Sequence, residues 1–396
     1  MEDYSKIEIQ KLETSSKEDC YLLSCNGIYY EANDAIVELI KALQFHDSKE
    51  KAISFYLKEK QGKYTKEQIT QLVDNYISHI LSKTTTLSNK TFIYQKELLP
   101  ASAIDRFSNT CSFIFQRPFM WIITIVTLLL DIYFFFSTNN LFQLNEQIGI
   151  YGITGLLIFI VVSSFFHELG HASACKYYGL KHGGIGFALY LNFPVLYTNV
   201  TEIWKLNRKR RCIVNLAGVY FQCILLSALI IIHLITNNGI VKYMALIMNL
   251  NFLITLNPFF KFDGYWIVSD VLGVPNLRER SKELLIYFYR RIRKQPIVGT
   301  PYLMQANKAE KYCLLAYSIL VNLFMAFYFF YIIPRFLYSF MQSFPGQIED
   351  LILYLSNRVS PPFALIHNIG AQLLSLALIL YVLFNLIRSF QYGRTK

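Results

Sequence analysis

Six long apolar runs constrain this chain more than any other feature of its sequence. They cover residues 119–136, 148–166, 213–235, 241–256, 312–333 and 363–387. A helix needs about 20 mostly apolar residues to cross the hydrocarbon core of a bilayer. Charged residues make up only 16% of the chain, whereas a typical soluble domain holds about 25%. The sequence therefore predicts an α-helical polytopic membrane protein with about six transmembrane helices.

The basic residues between these runs predict an orientation. Clusters of Lys and Arg follow the second and fourth runs, at residues 205–211 and 278–294, whereas residues 137–147 and 236–240 contain neither. Loops rich in Lys and Arg stay on the cytoplasmic side of a membrane. We therefore expect a multi-pass protein of the bacterial cytoplasmic membrane with both termini in the cytoplasm. The net charge of +11 indicates contact with the lipid bilayer, and we expect no nucleic acid partner.

A His-Glu-x-x-His motif, from His167 to His171, ends the second apolar run. Two histidines four residues apart lie one turn apart on the same face of a helix, so both can bind one Zn²⁺ ion. The glutamate between them, Glu168, can act as a general base toward water at the metal. Ionisable residues beside a membrane helix are costly and are usually functional. The motif predicts a zinc site with His167 and His171 as ligands and Glu168 as the catalytic residue.

A catalytic zinc site needs a third protein ligand, and Asp263 is the best candidate. It follows Pro258, and the predicted orientation places it on the same side of the membrane as His167. Pro258 ends a helix, and irregular backbone at membrane depth is tolerated only where it is buried in protein or lines a cavity. Asp131, in the first apolar run, is the rival, but we expect it to form a hydrogen bond between helices. The seven cysteines form no Cys-x-x-Cys pair, so we expect no cysteine metal site and no cofactor other than Zn²⁺.

These two motifs resemble those of the site-2 protease family of intramembrane zinc metalloproteases. The family combines His-Glu-x-x-His in one membrane helix with Pro-x-x-x-x-Asp-Gly downstream, and the spacing from Pro258 to Asp263 matches. The resemblance covers roughly residues 148–275 and implies peptide-bond hydrolysis. The segment Leu216–Gln222 is similar to the family's Ala-Gly-Pro-x-x-Asn segment, although Val219 and Gln222 replace the usual Pro and Asn. By this resemblance Gln222 is a candidate for holding the substrate or the oxyanion, and a hydrogen bond between helices is the alternative.

Residues 183–201 show an alternating pattern that predicts β-strands between the zinc helix and the third apolar run. Similar family members have a small sheet at membrane level in this position. An open strand edge there could receive an unwound peptide by strand addition.

The first 90 residues predict a small α+β winged-helix-like cytoplasmic domain. Short strands at residues 7–12, 19–24 and 28–31 precede three helices, and Asn26-Gly27 predicts a hairpin turn. This order resembles the chaperone-like peptide-recognition domain known from pyrroloquinoline quinone biosynthesis, which binds a leader peptide as an added strand. A DNA-binding winged helix is the alternative, but residues 1–118 hold 15 basic and 16 acidic residues, and no basic recognition helix is present.

The chain therefore divides into five predicted regions. They are a peptide-recognition domain (1–90), a linker at the membrane surface (91–117), a zinc metalloprotease membrane core (118–275), a basic cytoplasmic loop (276–311) and two C-terminal transmembrane helices (312–396).

The resemblance predicts an intramembrane zinc metalloendopeptidase that matures a ribosomally made, modified precursor peptide. Its partner would be a precursor or leader peptide. One alternative is regulated proteolysis of a membrane-bound protein substrate such as a regulator. The other is a non-proteolytic peptide export or immunity protein with a metal-stabilised core.

Overall fold

A computed structural model describes residues 3–82, 92, 94–138, 141, 150–190, 193–296, 299, 301–306 and 308–392. The strands are β1 (Glu8–Leu12), β2 (Cys20–Cys25), β3 (Ile28–Asn33), β4 (Tyr94–Leu99), β5 (Ile185–Tyr190) and β6 (Phe193–Thr198). The helices are α1 (Asp34–Phe45), α2 (Lys49–Glu59), α3 (Lys66–Leu72), α4 (Ser78–Ser82), α5 (Ala101–Cys111), α6 (Arg117–Ser137), α7 (Ile150–Tyr177), α8 (Arg208–Thr236), α9 (Gly239–Thr255), α10 (Asp263–Leu272), α11 (Leu277–Ile292), α12 (Tyr302–Gln305), α13 (Lys308–Phe327), α14 (Ile333–Ser356) and α15 (Phe363–Tyr392).

Five helical segments of the described chain are long and apolar enough to cross a membrane. They are Arg117–Ser137, Tyr151–Tyr177, Arg208–Thr236, Glu310–Ser356 and Ala364–Tyr381. The fourth predicted run forms α9, which has 17 residues and is shorter than the five segments that correspond to the other predicted runs. The number of crossings therefore stays a prediction, whereas a mostly helical chain with several apolar helices is confirmed.

The C-terminal helices extend further than the sequence predicted. A π-helical turn at Tyr328–Ile332 joins α13 directly to α14, so the helical segment continues to Ser356. The fifth predicted run ends at residue 333, and the sequence predicts that residues 334–362 connect it to the sixth. Pro334 lies just after this π-helical turn, where the regular i→i−4 hydrogen-bond ladder is already interrupted.

The N-terminal residues form an antiparallel sheet followed by helices. The strand order is β1-β2-β3, and Asn26 and Gly27 both have positive φ, as a two-residue type I′ hairpin turn requires. The Asn33 side chain accepts a hydrogen bond from the N–H of Ile36 and caps α1. The predicted strands, turn and helices are thus confirmed, whereas the assignment to a winged-helix fold stays a prediction.

Both faces of this sheet are covered. Ile7, Leu23 and Ala32 point to the face that packs on the N-terminal helices. Side chains on the other face contact the segments that flank the membrane helices: the Gln10 Nε2 donates to the Lys205 carbonyl oxygen at 2.7 Å. On the same face, Glu31 forms an ion pair of 3.4 Å with Arg280 of α11. The N-terminal sheet is therefore docked against the rest of its compact unit.

The region predicted as a linker contains regular structure. Residues 94–99 form β4, and α5 and a short 3-10 helix, Ser112–Phe115, follow it. Strand β4 belongs to a second sheet with the order β4-β5-β6, so the predicted β-structure in residues 183–201 is confirmed for β5 and β6. Peptide addition to this sheet stays a prediction.

The chain divides into two compact units. The first comprises Met1–Leu87, Glu97–Gly186 and Leu196–Leu315, and the second comprises Ser88–Lys96, Phe187–Val195 and Ala316–Lys396. Within the first unit, α8 is the central helix and packs against α6, α7, α9 and α10. All the predicted site residues lie on α7, α8 and α10, so this packing arranges the site.

Candidate metal centre

Helix α7 carries His167 and His171 one turn apart. The helix continues without a break from the apolar run through the motif to Tyr177, so the i, i+4 spacing places both imidazoles on one face. The two Nε2 atoms lie 3.1 Å apart. The side chains are 12% and 8% exposed, so both imidazoles are largely buried in the protein.

Asp263 reaches the same point from the first residue of α10. Its Oδ2 lies 3.0 Å from the Nε2 of His167 and 3.3 Å from the Nε2 of His171. The chain reverses between α9 and α10, and a Cβ at Gly264 would overlap the backbone of Leu256 and Asn257. Glycine at residue 264 therefore permits the close turn that brings Asp263 to the histidines.

The hydrogen bonds of the two imidazoles fix their tautomers. The Nδ1 of His171 lies 2.8 Å from the carbonyl oxygen of Val214, and the Nδ1 of His167 lies 3.2 Å from the Oε1 of Gln222. Both oxygens accept hydrogen bonds, so each Nδ1 carries the proton and each Nε2 presents a lone pair. Metal-binding histidines usually make this kind of bond with their second nitrogen.

Three lone pairs therefore converge on one point, from two imidazoles and one carboxylate. The Oδ2 of Asp263 is buried and has no hydrogen-bond donor among the described residues. Zinc bonds of about 2.0–2.1 Å in a tetrahedron separate neighbouring ligand atoms by about 3.3 Å, close to the distances of 3.0–3.3 Å found here. The arrangement fits a Zn²⁺ ion with His167, His171 and Asp263 as its protein ligands. It is the one such group of His, Cys, Asp and Glu side chains in the described part of the chain.

Glu168 lies on α7 next to the first histidine. It is 7% exposed, and its backbone carbonyl accepts a hydrogen bond from the hydroxyl of Thr198. Consecutive residues of a helix are about 100° apart around its axis, so Glu168 lies beside the helix face that carries His167 and His171 rather than opposite to it. The structure thus brings the predicted base, Glu168, close to the predicted zinc ligands.

The structure places Gln222 behind His167, where it is 1% exposed. Its Nε2 donates to the carbonyl oxygen and to the hydroxyl of Ser163, at 3.2 Å and 3.4 Å, which occupies both N–H groups and fixes the orientation of the amide. Its Oε1 faces His167 and also accepts a hydrogen bond from the Nδ2 of Asn251 at 3.3 Å. Both ends of the amide are therefore bonded within the protein. The predicted oxyanion role would require Gln222 to give up its bond to Ser163, and it stays a prediction.

Two glycines allow α7 and α8 to approach closely at the site. A Cβ at Gly218 would overlap the imidazole of His167, and a Cβ at Gly170 would overlap the carbonyl group of Ala217. Small residues at such positions let membrane helices pack at short distance. The sequence identified the segment Leu216–Gln222 only through its resemblance to the site-2 protease family. The structure adds the physical reason for Gly218, which lies against His167.

A buried polar cluster that the sequence did not predict joins α8 to α10. The Nε of Arg211 donates to the Oδ1 of Asp270 at 2.6 Å, and the Nδ2 of Asn215 donates to its Oδ2 at 2.7 Å. Burial raises the pKa of Asp270, and Arg211 and Asn215 oppose that shift. Asp270 lies two turns after Asp263 on the same helix, so the cluster anchors the helix that carries the third ligand.

Two other histidines, His182 and His233, and the rival carboxylate Asp131 form hydrogen bonds elsewhere. The Nε2 of His182 lies 3.0 Å from the hydroxyl of Ser108, and the Nδ1 of His233 lies 3.1 Å from the carbonyl oxygen of Asn238. The Nδ2 of Asn249 donates to Asp131 at 2.9 Å, the hydrogen bond between helices that the sequence predicted.

Comparison with known proteins identifies a relative of part of this chain. The chain is similar to a Bacillus subtilis (strain 168) protein named "Putative peptide zinc metalloprotease protein YydH", with 29% identity over 121 residues. The match covers 30% of this chain and 48% of the relative, so the chain spans about half the length of that protein. No family model matches the chain, and no solved structure matches it. This similarity supports the general assignment of the chain as a zinc metalloprotease.

Proposed function

We propose that the chain is an intramembrane zinc metalloendopeptidase of the site-2 protease type. The observation that carries this proposal is the convergence of two imidazole lone pairs and one carboxylate beside Glu168. A structural zinc site has four protein ligands, whereas three ligands leave a position for water or substrate. An adjacent glutamate has no purpose in a structural site but is the base that peptide hydrolysis requires.

The residues of the chain divide the chemistry between them. Bound Zn²⁺ would supply Lewis-acid polarisation of the peptide carbonyl and of water. His167, His171 and Asp263 would hold the ion, and Gln222 and the carbonyl of Val214 orient the imidazoles. Glu168 takes a proton from the attacking water and returns it to the leaving amine. Placing this centre among apolar helices makes a membrane-embedded peptide the natural substrate.

We further propose that the substrate is a ribosomally made precursor peptide in the bacterial cytoplasmic membrane, presented by the N-terminal domain. Strand β3 is a terminal strand of the N-terminal sheet, and such an edge can accept an added strand. The docked sheet would then hold a leader peptide at a fixed position relative to the metal centre, since both lie in the same compact unit. Both termini are assigned to the cytoplasm on the basis of loop charge.

Replacing the base separates catalysis from metal binding. The full chain is reconstituted in nanodiscs and incubated with candidate precursor peptides, and mass spectrometry identifies the products. We expect cleavage by the wild type, and zinc retention without cleavage by Glu168→Gln.

Three outcomes would contradict the proposal. Cleavage by the Glu168→Gln variant would exclude the proposed base. Cleavage of a membrane-bound regulator but of no precursor peptide would favour the regulatory alternative. Zinc binding without cleavage of either substrate would favour a non-proteolytic protein.

A further inference from the structure

A cavity of about 640 Å³ lies among the ends of three membrane helices. It lies between the start of α6, the end of α7 and the start of α8. Its lining residues fall within residues 115–124, 177–178 and 207–213, and Arg208 and Arg211 are not among them. Its volume is within the range of small-molecule sites, about 300–1,000 Å³. All of these residues belong to one compact unit, and none is a predicted zinc ligand or base.

The charge of the cavity lining is entirely positive. Arg117, Lys209 and Arg210 line it, and no Asp or Glu does. Ion pairs in the described part of the chain involve none of these three cations. Helices α6 and α8 begin here and α7 ends here, so the two positive helix ends outweigh the one negative end and add to the charge of the three cations. An anion is the ligand that this combination attracts.

The rest of the lining is apolar and aromatic. Met120 and Ile213 line the cavity beside Trp121 and Tyr177. Trp121 is 68% exposed, and it stands one helical turn inside the start of a membrane-length helix. Trp and Tyr are enriched at the interface between headgroups and acyl chains. The ligand therefore needs an anionic part at the helix ends and an apolar part that continues along α6.

We propose that this cavity binds an anionic phospholipid, with its phosphate between Arg117, Lys209 and Arg210 and its upper acyl chain against Met120, Trp121 and Ile213. Basic pockets between transmembrane helices bind anionic headgroups in this way. Arg210 also stacks over the ring of Tyr178, with 5.6 Å between the guanidinium carbon and the ring centroid, which keeps one cation at the rim of the cavity. On the orientation proposed above, the site faces the cytoplasmic leaflet. The lipid would join the ends of α6, α7 and α8, and α7 and α8 carry the metal centre.

Tryptophan quenching by brominated lipid tests this proposal without reference to peptidase activity. The full chain is reconstituted in phosphatidylcholine nanodiscs that contain equal mole fractions of brominated phosphatidylglycerol or brominated phosphatidylcholine. We expect stronger quenching by the anionic lipid, and Trp121→Phe should remove that difference. Because each cation near the surface adds about fivefold to the affinity, Arg117→Gln/Lys209→Gln/Arg210→Gln should abolish the preference.

A matched control carries the same change of charge outside the cavity. Arg291, Arg293 and Lys294 are exposed residues at the end of α11, and their triple replacement by Gln should leave the preference intact. Circular dichroism checks that each variant retains its helices. If the cavity triple variant loses them, Lys209→Gln alone should still weaken the preference for the anionic lipid about fivefold.

Three outcomes would overturn the proposal. Equal quenching of the wild type by both lipids would exclude lipid selectivity. An equal loss of preference in the α11 control would assign the effect to overall charge. Displacement of phosphatidylglycerol by millimolar inorganic phosphate would identify a site for a free anion rather than for a lipid.

Discussion

Gly218 lies directly against the imidazole of His167, so that a Cβ at residue 218 would overlap the Cδ2, Cε1 and Nε2 atoms of the ring. The same ring is fixed from behind by Gln222 through its Nδ1 atom. Helix α8 therefore determines where the first zinc ligand points, although α8 itself supplies no ligand.

Replacing Gly218 by Ala tests this contact. The added methyl group must displace the His167 ring or separate α7 from α8, and either change misplaces the Nε2 lone pair. We expect the zinc affinity, measured by competition with a chelator, to fall by about 10- to 100-fold, the range found when the partners of metal ligands are altered. Gly155→Ala on α7 is the control, because a Cβ there meets no atom within 4 Å. Equal zinc affinities for the two variants would contradict the assignment.

Replacing Gln222 by Met separates a positioning role from an oxyanion role. Methionine has a similar volume, but its thioether is only a weak acceptor of the hydrogen bond from His167, so the imidazole loses its fixed orientation. We expect zinc affinity to fall by about 10-fold or more, with an altered visible spectrum of the Co²⁺-substituted protein. An oxyanion donor would instead leave zinc affinity unchanged and lower kcat at saturating zinc.

Asn251 provides a second measurement of the same network. Its Nδ2 donates to the Oε1 of Gln222, so Asn251→Ala should weaken zinc binding in the same direction but less. Asn249→Ala, on the same helix, removes a bond to Asp131 instead and should leave zinc affinity unchanged.

Replacing Asp270 by Asn tests the cluster that anchors α10. The side chains of Arg211 and Asp270 are only 3% and 6% exposed, and the variant leaves the guanidinium buried without its counterion. Breaking a buried pair in this way costs about 3–5 kcal/mol, which equilibrium unfolding in mixed micelles would measure. Zinc affinity should fall as well, because α10 carries Asp263.

The control is Glu283→Gln, which removes one partner of an exposed ion pair with Arg280 and should cost less than about 1 kcal/mol of stability. Similar losses in both variants would contradict a specific anchoring role.

Replacing Tyr29 by Pro tests peptide addition to β3. Cys25 and Ile28 flank the two-residue hairpin turn, so they form a hydrogen-bonded pair. Hydrogen-bonded and non-hydrogen-bonded pairs alternate along an antiparallel ladder, so the N–H of the next residue, Tyr29, points away from β2. Proline there removes one outward donor but leaves the ladder between β2 and β3 intact. We expect leader-peptide affinity, measured by fluorescence anisotropy, to fall about 10-fold, since one hydrogen bond and the fit of the added strand are lost. The control variant Tyr29→Val keeps the backbone N–H and should bind the leader peptide nearly as tightly as the wild type. Equal leader-peptide affinities of the Pro and Val variants would mean that the peptide does not bind at β3.

The sequence by itself determined the local features of this protein. Apolar runs of sufficient length become helices because the backbone must satisfy its own hydrogen bonds in an apolar environment. The i, i+4 spacing of His167 and His171 fixes their common face because the helical repeat is 3.6 residues. Asn26-Gly27 fixes the hairpin because both residues tolerate positive φ.

The tertiary structure alone decided how these elements meet. Three contacts depend on how α7, α8 and α10 are aligned relative to one another. They are the 3.0 Å approach of Asp263 to His167, the contact of Gln222 with an imidazole, and the pairing of Arg211 with Asp270. No periodicity within one helix encodes that alignment, because it follows from side-chain packing across helices, such as the contacts of Gly170 and Gly218. The cations of the cavity at Arg117, Lys209 and Arg210 likewise come from sequence segments about 90 residues apart and converge only when α6, α7 and α8 pack together.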